Sequence, residues 1–300
     1  MKHPAYSLEA EQKIDNDQIA SFISQDTVNL DRQVVDDFGD EWSKFNEFAP
    51  EEIRQIGDDY FDIVPEELLT AKTKAIDIGC GSGRWSKYVA PKVGIMEAVD
   101  PSHAVLVARR MLANEPNVRV TQAEANHIPF EDNTFDFGFS LGVLHHIPDT
   151  QSALNSCVTK IKPGGHFLVY FYYRFDNRGI VFKALFQLIN LLRKITSVLP
   201  GALKKLVCDL IAILVYWPLS RFSTLVKALF GEKAASKVPL SYDADKSFNI
   251  LRNDALDRFG TRLEKRFTRV EITDMMQKAG LTDIVFSEKE PYWHAIGRKN

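Results

Sequence analysis

The chain has little of what defines several protein classes. Its 300 residues include only three cysteines, Cys80, Cys157 and Cys208, which lie far apart and form no CxxC pair. Cysteines in this arrangement indicate neither a disulfide framework nor a zinc site, and they fit a reducing cytosol. We therefore expect a cytoplasmic protein without a bound structural metal.

Long hydrophobic runs and an excess of positive charge are also missing. The longest apolar run, residues 210–219, falls short of the roughly 18 residues that a membrane span needs. The N-terminus shows no apolar core of the secretory type, so we expect no signal peptide. The net charge of −3 lacks the basic excess of a general nucleic-acid binder, so no nucleic-acid partner is expected.

Acidic residues are concentrated at the N-terminus. Residues 1–60 contain 15 acidic and 5 basic residues, and the first thirty or so show no sustained period, which predicts weak structure. Phe38, Trp42, Phe45 and Phe48 follow at helical spacing. This segment is therefore predicted to be an acidic arm that ends in a lid with an aromatic face.

The core is expected in residues 61–173 and 251–300. Strand-like and helix-like runs alternate there, which predicts a parallel sheet with helices on both faces. The predicted strands are 75–78, 95–99, 118–122, 135–140 and 166–172, and the predicted helices include 104–114 and 150–160. A helix that begins at Thr268 and ends at Gly280, followed by two strands, closes the core.

A glycine-rich turn follows the first predicted strand. Gly79, Gly81 and Gly83 form GxGxG, with Arg84 where the dinucleotide-binding pattern requires glycine. The P-loop pattern and the GxSxG hydrolase elbow are both missing, so a phosphate cradle is poorly supported. Asp100 ends the next strand about twenty residues later, where an acid can bind both hydroxyls of a ribose. A purely structural turn remains the alternative.

Five motifs follow one another within residues 75–170. They are AIDIGCGSGRW, AVDPS, AEANHIPF, TFDFGFSLGVLHHIPD and IKPGGHFLVY. Their order resembles that of a class I S-adenosylmethionine-dependent methyltransferase. More narrowly, it is similar to that of the type 11 group of small-molecule methyltransferases. The resemblance implies a Rossmann-like, mostly parallel sheet of seven strands. It also implies an antiparallel last strand, a helical insertion after the fifth strand and S-adenosyl-L-methionine as cofactor.

The resemblance assigns a set of cofactor-binding residues. Asp77, together with the backbone carbonyls of Ser140 and Leu141, would hold the cationic amino group, although Asp77 could instead only cap the turn. Arg84 has two open roles, as a partner of the cofactor's carboxylate or as a cap of the turn. The glycines would let the backbone approach the methionine part. They are Gly79, Gly81 and Gly83.

The nucleoside part of the cofactor is assigned to the next two strands. By the same resemblance, Asp100 binds the ribose hydroxyls, and Pro101 or Ser102 borders the adenine. Glu124 and Ala125 would meet the polar edge of the adenine. Glu124 is a departure, because the family more often has aspartate there.

The acceptor is expected above the carboxyl ends of the strands. His145 and His146 are the candidates for a catalytic base. Adjacent residues of a helix point about 100° apart, so the two are poor co-ligands for a metal, and one of them could simply pack. The candidate substrate-binding residues are Trp42, Phe45, Tyr172, Tyr173, Arg174, Asn177 and Arg178. The arginines could hold an acidic group or could cap helices in a solvated loop.

The predicted function is in-line methyl transfer from S-adenosylmethionine to a hydrophobic or bulky acceptor, either a small molecule or a lipid-like one. The alternatives are a catalytically silent cofactor-binding or scaffold protein and, with less support, a nucleic-acid methyltransferase. Residues 174–250 contain 12 basic and 5 acidic residues in amphipathic runs. This insertion is interpreted as a helical cap, as a peripheral membrane contact through residues 180–230, or as a homodimer interface.

Overall fold

The computed structural model describes residues 1–16, 18–24, 29–44, 48–174, 179–235, 238, 240, 241, 244, 246–260 and 262–300. The chain divides into two compact units. The first comprises residues 1–176 and 265–300, and the second comprises residues 177–264. The first unit contains the sheet, and the described part of the second is built from helices.

Nine strands form one sheet within the described residues of the first unit. They are β1 (Gln12–Ile14), β2 (Ile19–Ser21), β3 (Lys74–Ile78), β4 (Ile95–Asp100), β5 (Val118–Gln122), β6 (Phe135–Leu141), β7 (Ile161–Tyr170), β8 (Leu281–Phe286) and β9 (His294–Lys299). Their spatial order is β1-β2-β5-β4-β3-β6-β7-β9-β8. Strands β2 to β7 pair in parallel, and β9 runs antiparallel between β7 and β8.

Helices flank this sheet, and α-helices directly follow several of its parallel strands. They are α1 (Arg32–Lys44), α2 (Pro50–Tyr60), α3 (Arg84–Val89), α4 (Val105–Met111), α5 (Thr150–Thr159) and α11 (Arg269–Lys278). Neighbouring residues of β3 show why both faces are covered. Ala75 packs in one apolar cluster with Trp85 of α3, whereas Ile76 packs in another with Leu154 of α5. The predicted α/β fold with helices on both faces is therefore confirmed.

The five core strands predicted from sequence are all present. β5 has the predicted ends, and β3, β4 and β6 differ by one residue. β7 differs most, because it begins at Ile161 and ends at Tyr170. Ile161 pairs with Phe135 before the register shifts between Phe135 and Phe137, and this irregular pairing extends the strand.

The strand number and the N-terminal segment require correction. The structure has nine strands where seven were predicted, since β1 and β2 form a hairpin that adds to the edge at β5. The first thirty residues are therefore partly structured. The Tyr6 hydroxyl lies 2.9 Å from Oγ1 of Thr121, and the Arg119 guanidinium lies 4.2 Å from the Tyr6 ring centre. Strands of three residues are too short to show a period in the sequence.

The predicted start of the last helix of this unit is confirmed. Oγ1 of Thr268 accepts a hydrogen bond from the backbone N–H of Glu271 at 3.2 Å. The Glu271 carboxylate accepts in return from the Thr268 backbone N–H at 2.8 Å, which completes a capping box. Gly280 follows the helix with φ +90°.

The second unit follows β7 as the predicted helical insertion. Its helices are α6 (Ile180–Thr196), α7 (Gly201–Ile211), α8 (Trp217–Phe230), α9 (Glu232–Ala235) and α10 (Phe248–Gly260). A π-helical turn, Ala212–Tyr216, joins α7 to α8. The second unit has a hydrophobic core of its own, in which Cys208, Ala212 and Tyr216 pack against Leu251 and Ala255. In the part of the chain that the structure describes, every helix is too short or too polar to cross a membrane.

Candidate functional site

The turn between β3 and α3 has a backbone that glycine adopts without strain. Gly79, Gly81 and Gly83 have φ of +82°, +52° and +84°. A Cβ on Gly83 would lie 2.9 Å from Cδ1 of Leu112 and 3.2 Å from the Ala108 Cα, so this glycine lets α3 and α4 pack closely. Gly83 therefore serves helix packing, and a Cβ on Gly79 would likewise collide with the Val143 side chain.

Asp77 is buried directly before this turn. Its Oδ2 accepts a hydrogen bond from the Ser86 hydroxyl at 2.7 Å, whereas its Oδ1 is buried and has no hydrogen-bond partner. Burial raises the pKa of Asp77 to about 7, the Ser86 hydrogen bond opposes the rise, and nearby Asp100 adds to it. A buried carboxylate oxygen without a partner is costly unless a ligand supplies a donor.

Asp100 lies at the end of the neighbouring strand and is bound to the same turn. Its Oδ2 accepts from the Gly81 backbone N–H at 2.9 Å. Its Oδ1 accepts from the backbone N–H and the hydroxyl of Ser102 at 2.8 and 2.6 Å. Burial raises the pKa of Asp100, and these hydrogen bonds oppose the rise. The carboxylate is thus held rigidly, and Oδ2 keeps a further acceptor position.

The residues assigned to the adenine lie beyond the ends of β4 and β5. The Gln122 side chain donates to the Pro101 carbonyl at 3.2 Å, and Ser102 is buried next to Asp100. Glu124 is also buried, which raises its pKa, and the Nδ1 of His127 lies 3.9 Å from its carboxylate. Ala125 follows, 8% exposed. The structure therefore brings these residues to the same sheet edge as Asp100.

The end of β6 completes that edge. Ser140 and Leu141 are both buried, and the Ser140 hydroxyl donates to the Ile78 carbonyl at 2.7 Å. This bond ties the end of β6 to the end of β3, directly before the glycine turn. The assigned residues thus follow the carboxyl ends of four adjacent parallel strands, the place where such sheets bind ligands.

Helix α1 covers the glycine turn. A Cβ on Gly81 would lie 3.0 Å from Nε1 of Trp42, and a Cβ on Gly39 would lie 3.4 Å from the Ser102 Cβ. The Arg84 guanidinium lies over three aromatic rings, 5.1 Å from that of Trp42, 5.5 Å from that of Phe48 and 4.5 Å from that of Trp85. Arg84 therefore joins α1 to the turn by cation–π contacts.

The two adjacent histidines are buried in a short 3₁₀ helix, Leu144–His146. Both ring nitrogens of His145 lack hydrogen-bond partners, and its ring centre lies 4.1 Å from that of Tyr172. Burial holds the pKa of His145 well below its usual range, with His146 and Arg266 adding to the effect. His146 packs on Phe38 of α1, with 4.9 Å between ring centres. His145 is thus a neutral base at pH 7, and His146 belongs to the contact with the lid.

Aromatic rings that the sequence did not single out continue from this histidine. Tyr170 lies 5.8 Å from Tyr172 and 5.0 Å from Tyr60 of α2, and Tyr60 lies 5.1 Å from Trp85, all between ring centres. We call Tyr60, Trp85, Tyr170 and Tyr172 the aromatic wall. Of these four, only Tyr172 was predicted to bind the substrate. Trp85 and Tyr170 end two of the sequence motifs but were assigned no role, and Tyr60 lies in no motif.

Other predicted substrate-binding residues have different neighbours. The Tyr173 ring packs on Tyr292 at 5.6 Å. The Arg174 guanidinium donates to Glu271 at 2.9 Å and to the Arg266 carbonyl at 3.1 and 2.8 Å, which favours the helix-capping alternative. Phe45, Asn177 and Arg178 lie outside the described residues.

A second buried polar group had no signal in the sequence. Nε2 of His294 lies 2.8 Å from Oδ1 of Asp62, and the Ser287 hydroxyl donates to Oδ2 of Asp62 at 2.8 Å. Nδ1 of His294 lies 2.7 Å from the Pro291 carbonyl, which can only accept. His294 begins β9 opposite Tyr170. This group ties the chain after α2 to the last two strands behind the aromatic wall.

The hydrogen-bond acceptors of this site fit a ligand with an ammonium group and a ribose. The unpartnered Oδ1 of Asp77 and the spare acceptor position of Asp100 are hydrogen-bond acceptors without protein donors. The turn that follows Asp77 has left-handed φ at Gly79 and Gly81, and the backbone N–H of Gly81 donates to Asp100. Among the described residues, no three His, Cys, Asp or Glu side chains are grouped to hold a metal ion.

Comparisons with known proteins find methyltransferases. The family model Methyltransf_11, described as a methyltransferase domain, matches residues 76–169. The chain is 30% identical over 133 residues to a ubiquinone biosynthesis O-methyltransferase of Marinobacter nauticus, covering 43% of this chain and 55% of that protein. It is 39% identical over 101 residues to a demethylmenaquinone methyltransferase of Staphylococcus aureus, covering 31% of this chain and 40% of that protein.

The chain thus spans only about half the length of these relatives. A solved SAM dependent methyltransferase from Aquifex aeolicus is 15% identical, with a TM-score of 0.42, over 84% of this chain and 97% of that one. The family match extends from β3 to β7, which carry the glycine turn, Asp100 and the histidines. Residues 76–169 of this chain are a methyltransferase domain of the Methyltransf_11 family.

Proposed function

We propose that the protein transfers a methyl group from S-adenosyl-L-methionine to a small, bulky acceptor with an aromatic ring. One observation carries the proposal. Asp77, directly before a left-handed glycine turn, has a buried carboxylate oxygen without a partner, next to Asp100 at the end of the adjacent strand. This pair matches the two polar ends of the cofactor, its ammonium group and its ribose. The family of residues 76–169 supports the same cofactor.

Different residues would bind different parts of the cofactor. Oδ1 of Asp77 would accept from the ammonium group, and Oδ2 of Asp100 would accept from a ribose hydroxyl. Glu124 would meet the adenine amine, because its buried carboxyl can accept from an N–H donor at that edge. Arg84 would serve mainly the lid, since its guanidinium is already stacked on the rings of α1 and α3.

The protein's part in the chemistry is mainly positioning. Bound S-adenosylmethionine supplies an already activated methyl group on a sulfonium. The rigid contacts of Asp77 and Asp100 would fix its direction, and α1 with Trp42 would exclude water from the turn. Alignment of two reactants in this way can lower a barrier by roughly 7–11 kcal/mol.

His145 is the residue placed to take a proton from the acceptor. Both its ring nitrogens lack partners, and its low pKa keeps it neutral at pH 7. A base of low pKa is weak, so it suits an acceptor whose own hydroxyl is acidic, as a phenol is. His146 packs on Phe38, so its role would instead be to hold α1, the lid, in contact with the site.

The aromatic wall supports an acceptor with a ring. Tyr60, Trp85, Tyr170 and Tyr172 make a continuous run of ring contacts that ends at His145. Aromatic pairs add about 0.5–1.5 kcal/mol beyond area burial, so such a wall favours planar ligands. The matched relatives are named for O-methylation in ubiquinone biosynthesis and for methylation of demethylmenaquinone, which supports an acceptor related to quinones.

Calorimetry with S-adenosylmethionine and S-adenosylhomocysteine tests the cofactor. Binding by the wild type that is lost in Asp100→Ala and kept in Asp132→Ala supports the proposal. Asp132 is the control because it is an exposed carboxylate paired with Lys160. Transfer of labelled methyl to a panel of phenols and hydroquinones then tests the acceptor. No cofactor binding by folded wild type would overturn the proposal, and tight binding without transfer to any acceptor class would favour the catalytically silent alternative.

A further inference from the structure

The longest helix of the second unit exposes many of its large apolar side chains and buries several polar ones. α7, the π turn and α8 run continuously from residue 201 to residue 230. Eight large apolar side chains, each 46–69% exposed, are Leu203, Leu206, Leu210, Ile213, Leu214, Phe222, Leu225 and Leu229. On the same helix Lys204, Ser220 and Ser223 are buried. We call the eight exposed residues the apolar stripe.

The stripe lies on one face because the π turn corrects its phase. Each apolar residue of α7 named here has a counterpart 19 residues later in α8. The pairs are Leu203 with Phe222, Leu206 with Leu225, and Leu210 with Leu229. Five turns of α-helix take about 18 residues, so an uninterrupted helix would rotate the second half away by about 100°. The π turn inserts one residue and brings the two halves back into line.

Pro218 explains why the helix widens at that point. A proline ring in an α-helix collides with the carbonyl four residues earlier, here that of Leu214, and has no N–H to donate. The opposite face carries Cys208, Ala212 and Tyr216, which are buried against α10. The stripe is therefore the side of the helix that the unit's own core leaves exposed.

The charge of the segment that contains the stripe indicates its partner. Residues 180–230 contain seven basic residues and one acidic residue, Asp209. Both carboxylate oxygens of Asp209 accept from Arg252, at 2.6 and 2.7 Å. Lys194 and Arg221 are exposed, and Arg221 lies 4.4 Å from the half-exposed Trp217 ring. Basic and aromatic side chains beside an apolar face are typical of helices that lie in an anionic lipid interface.

We propose that the apolar stripe lies in the surface of an anionic lipid bilayer, with the helix parallel to the membrane plane. At 1.5 Å per residue the helix is about 45 Å long, ample for such a contact. A second copy of the chain fits less well. A two-fold contact through the same face would bring two sets of seven basic residues together with only one acid each. Lipid phosphates, in contrast, neutralise that charge.

Vesicle flotation of the full-length protein tests the proposal without any methyl transfer. We expect binding to vesicles of phosphatidylcholine with phosphatidylglycerol and weaker binding to phosphatidylcholine alone. High salt should weaken the binding, because it shortens the Debye length from about 10 to about 3 Å. The double variant Leu206→Gln with Leu225→Gln should lower the partition constant by at least about tenfold, because both side chains leave the bilayer. The variant Lys194→Gln with Lys205→Gln should reduce the preference for the anionic vesicles.

Matched control variants distinguish binding through the apolar stripe from nonspecific adsorption of the protein to vesicles. Val270 and Val285 are 69% and 52% exposed in the first unit, so Val270→Gln with Val285→Gln should leave flotation unchanged. Lys72→Gln with Lys278→Gln is the control for charge. Absence of vesicle binding by the wild type would overturn the proposal. A dimer in sedimentation velocity that the Leu206 and Leu225 variant dissociates, with no flotation, would assign the stripe to a second copy instead. Cofactor binding by each variant shows that it is folded.

Discussion

Ser86 and Asp77 share one short hydrogen bond that leaves half of a buried carboxylate without a partner. The Ser86 hydroxyl donates to Oδ2 of Asp77 at 2.7 Å, and Oδ1 has no donor. We expect Asp77→Asn to weaken S-adenosylmethionine binding by about 10–100-fold, because a hydrogen bond to a charged group contributes about 1.5–3 kcal/mol. Calorimetry on this variant and on Asp132→Asn measures the effect. Equal affinity in all three proteins would show that Asp77 only supports the turn.

The same carboxyl predicts a pH dependence of stability. Its folded pKa is raised from 3.8 to about 7, so the folded state holds a proton that the unfolded state has lost between these values. The unfolded state then binds fewer protons, and the free energy of unfolding without cofactor should fall as pH rises from 4 to 7. Asp77→Asn should reduce this slope. Urea unfolding at a series of pH values measures it, and an unchanged slope in the variant would contradict the assignment.

Cofactor binding should release a proton by the same linkage. An ammonium group beside Oδ1 stabilises the ionised carboxylate and lowers the pKa of Asp77. Affinity should therefore rise with pH up to about the pKa of Asp77, near 7, and level off above it. Calorimetry in buffers of different ionisation enthalpy counts the protons released at pH 6. A release that persists in Asp77→Asn would point to another group, with Asp100 as the next candidate, since burial raises its pKa as well.

Trp42 should report closure of the lid over the cofactor. Its Nε1 lies where a Cβ on Gly81 would be in tight contact, and its ring takes part in the stack on Arg84. We expect Trp42→Phe to weaken S-adenosylhomocysteine binding several-fold and to remove most of the tryptophan fluorescence change on binding. Trp217→Phe, in the second unit, is the matched control and should keep both. A fluorescence change that is intact in the Trp42 variant would place the lid elsewhere.

His145 should matter for turnover and little for cofactor binding. His145→Gln should lower kcat by about 10²–10⁴-fold if the acceptor arrives protonated, which is the usual contribution of a general base. Because its pKa is held well below 6.5, the wild-type rate should show no loss from its protonation between pH 8 and 6.5. Steady-state kinetics on a phenolic acceptor test this, with His166→Gln as control. Loss of cofactor affinity together with kcat would indicate a packing role.

The sequence predicted the parts of the site whose geometry is local. Gly79, Gly81 and Gly83 need left-handed φ within one turn, and Asp100 ends the strand next to it, so spacing along the chain carried the information. The aromatic wall was different. Tyr60 meets Trp85 and Tyr170 only after α2 has packed on the sheet, and no period or motif marks such a contact.

The same limit applies to charge and burial. The basic amphipathic pattern of residues 174–250 predicted helices, but it could not show which face the unit buries. In the structure Arg193 is buried, whereas the apolar side chains of Leu192 and Ile195 are about half exposed. Which face is buried depends on the side chains that α10 presents to it. The sequence of residues 201–230 cannot decide this, because it has apolar side chains on two opposite faces of the helix. Asp62 and His294 are likewise joined across 232 positions, which no local pattern predicts.

Gly83 should tolerate a side chain less well than Gly280, although both have left-handed φ. Alanine at a left-handed position costs about 1–2 kcal/mol, and Gly83→Ala adds a contact of 2.9 Å with Leu112 and 3.2 Å with Ala108. Overpacking of this kind costs roughly 1–3 kcal/mol more. Gly280 has a similar φ, +90°, but no atom within 4 Å of its Cβ position, so Gly280→Ala isolates the backbone cost. Urea unfolding of both variants should show Gly83→Ala as the less stable. Equal losses would mean that α4 can move away from the turn, and that close packing of α3 on α4 does not require glycine at this position.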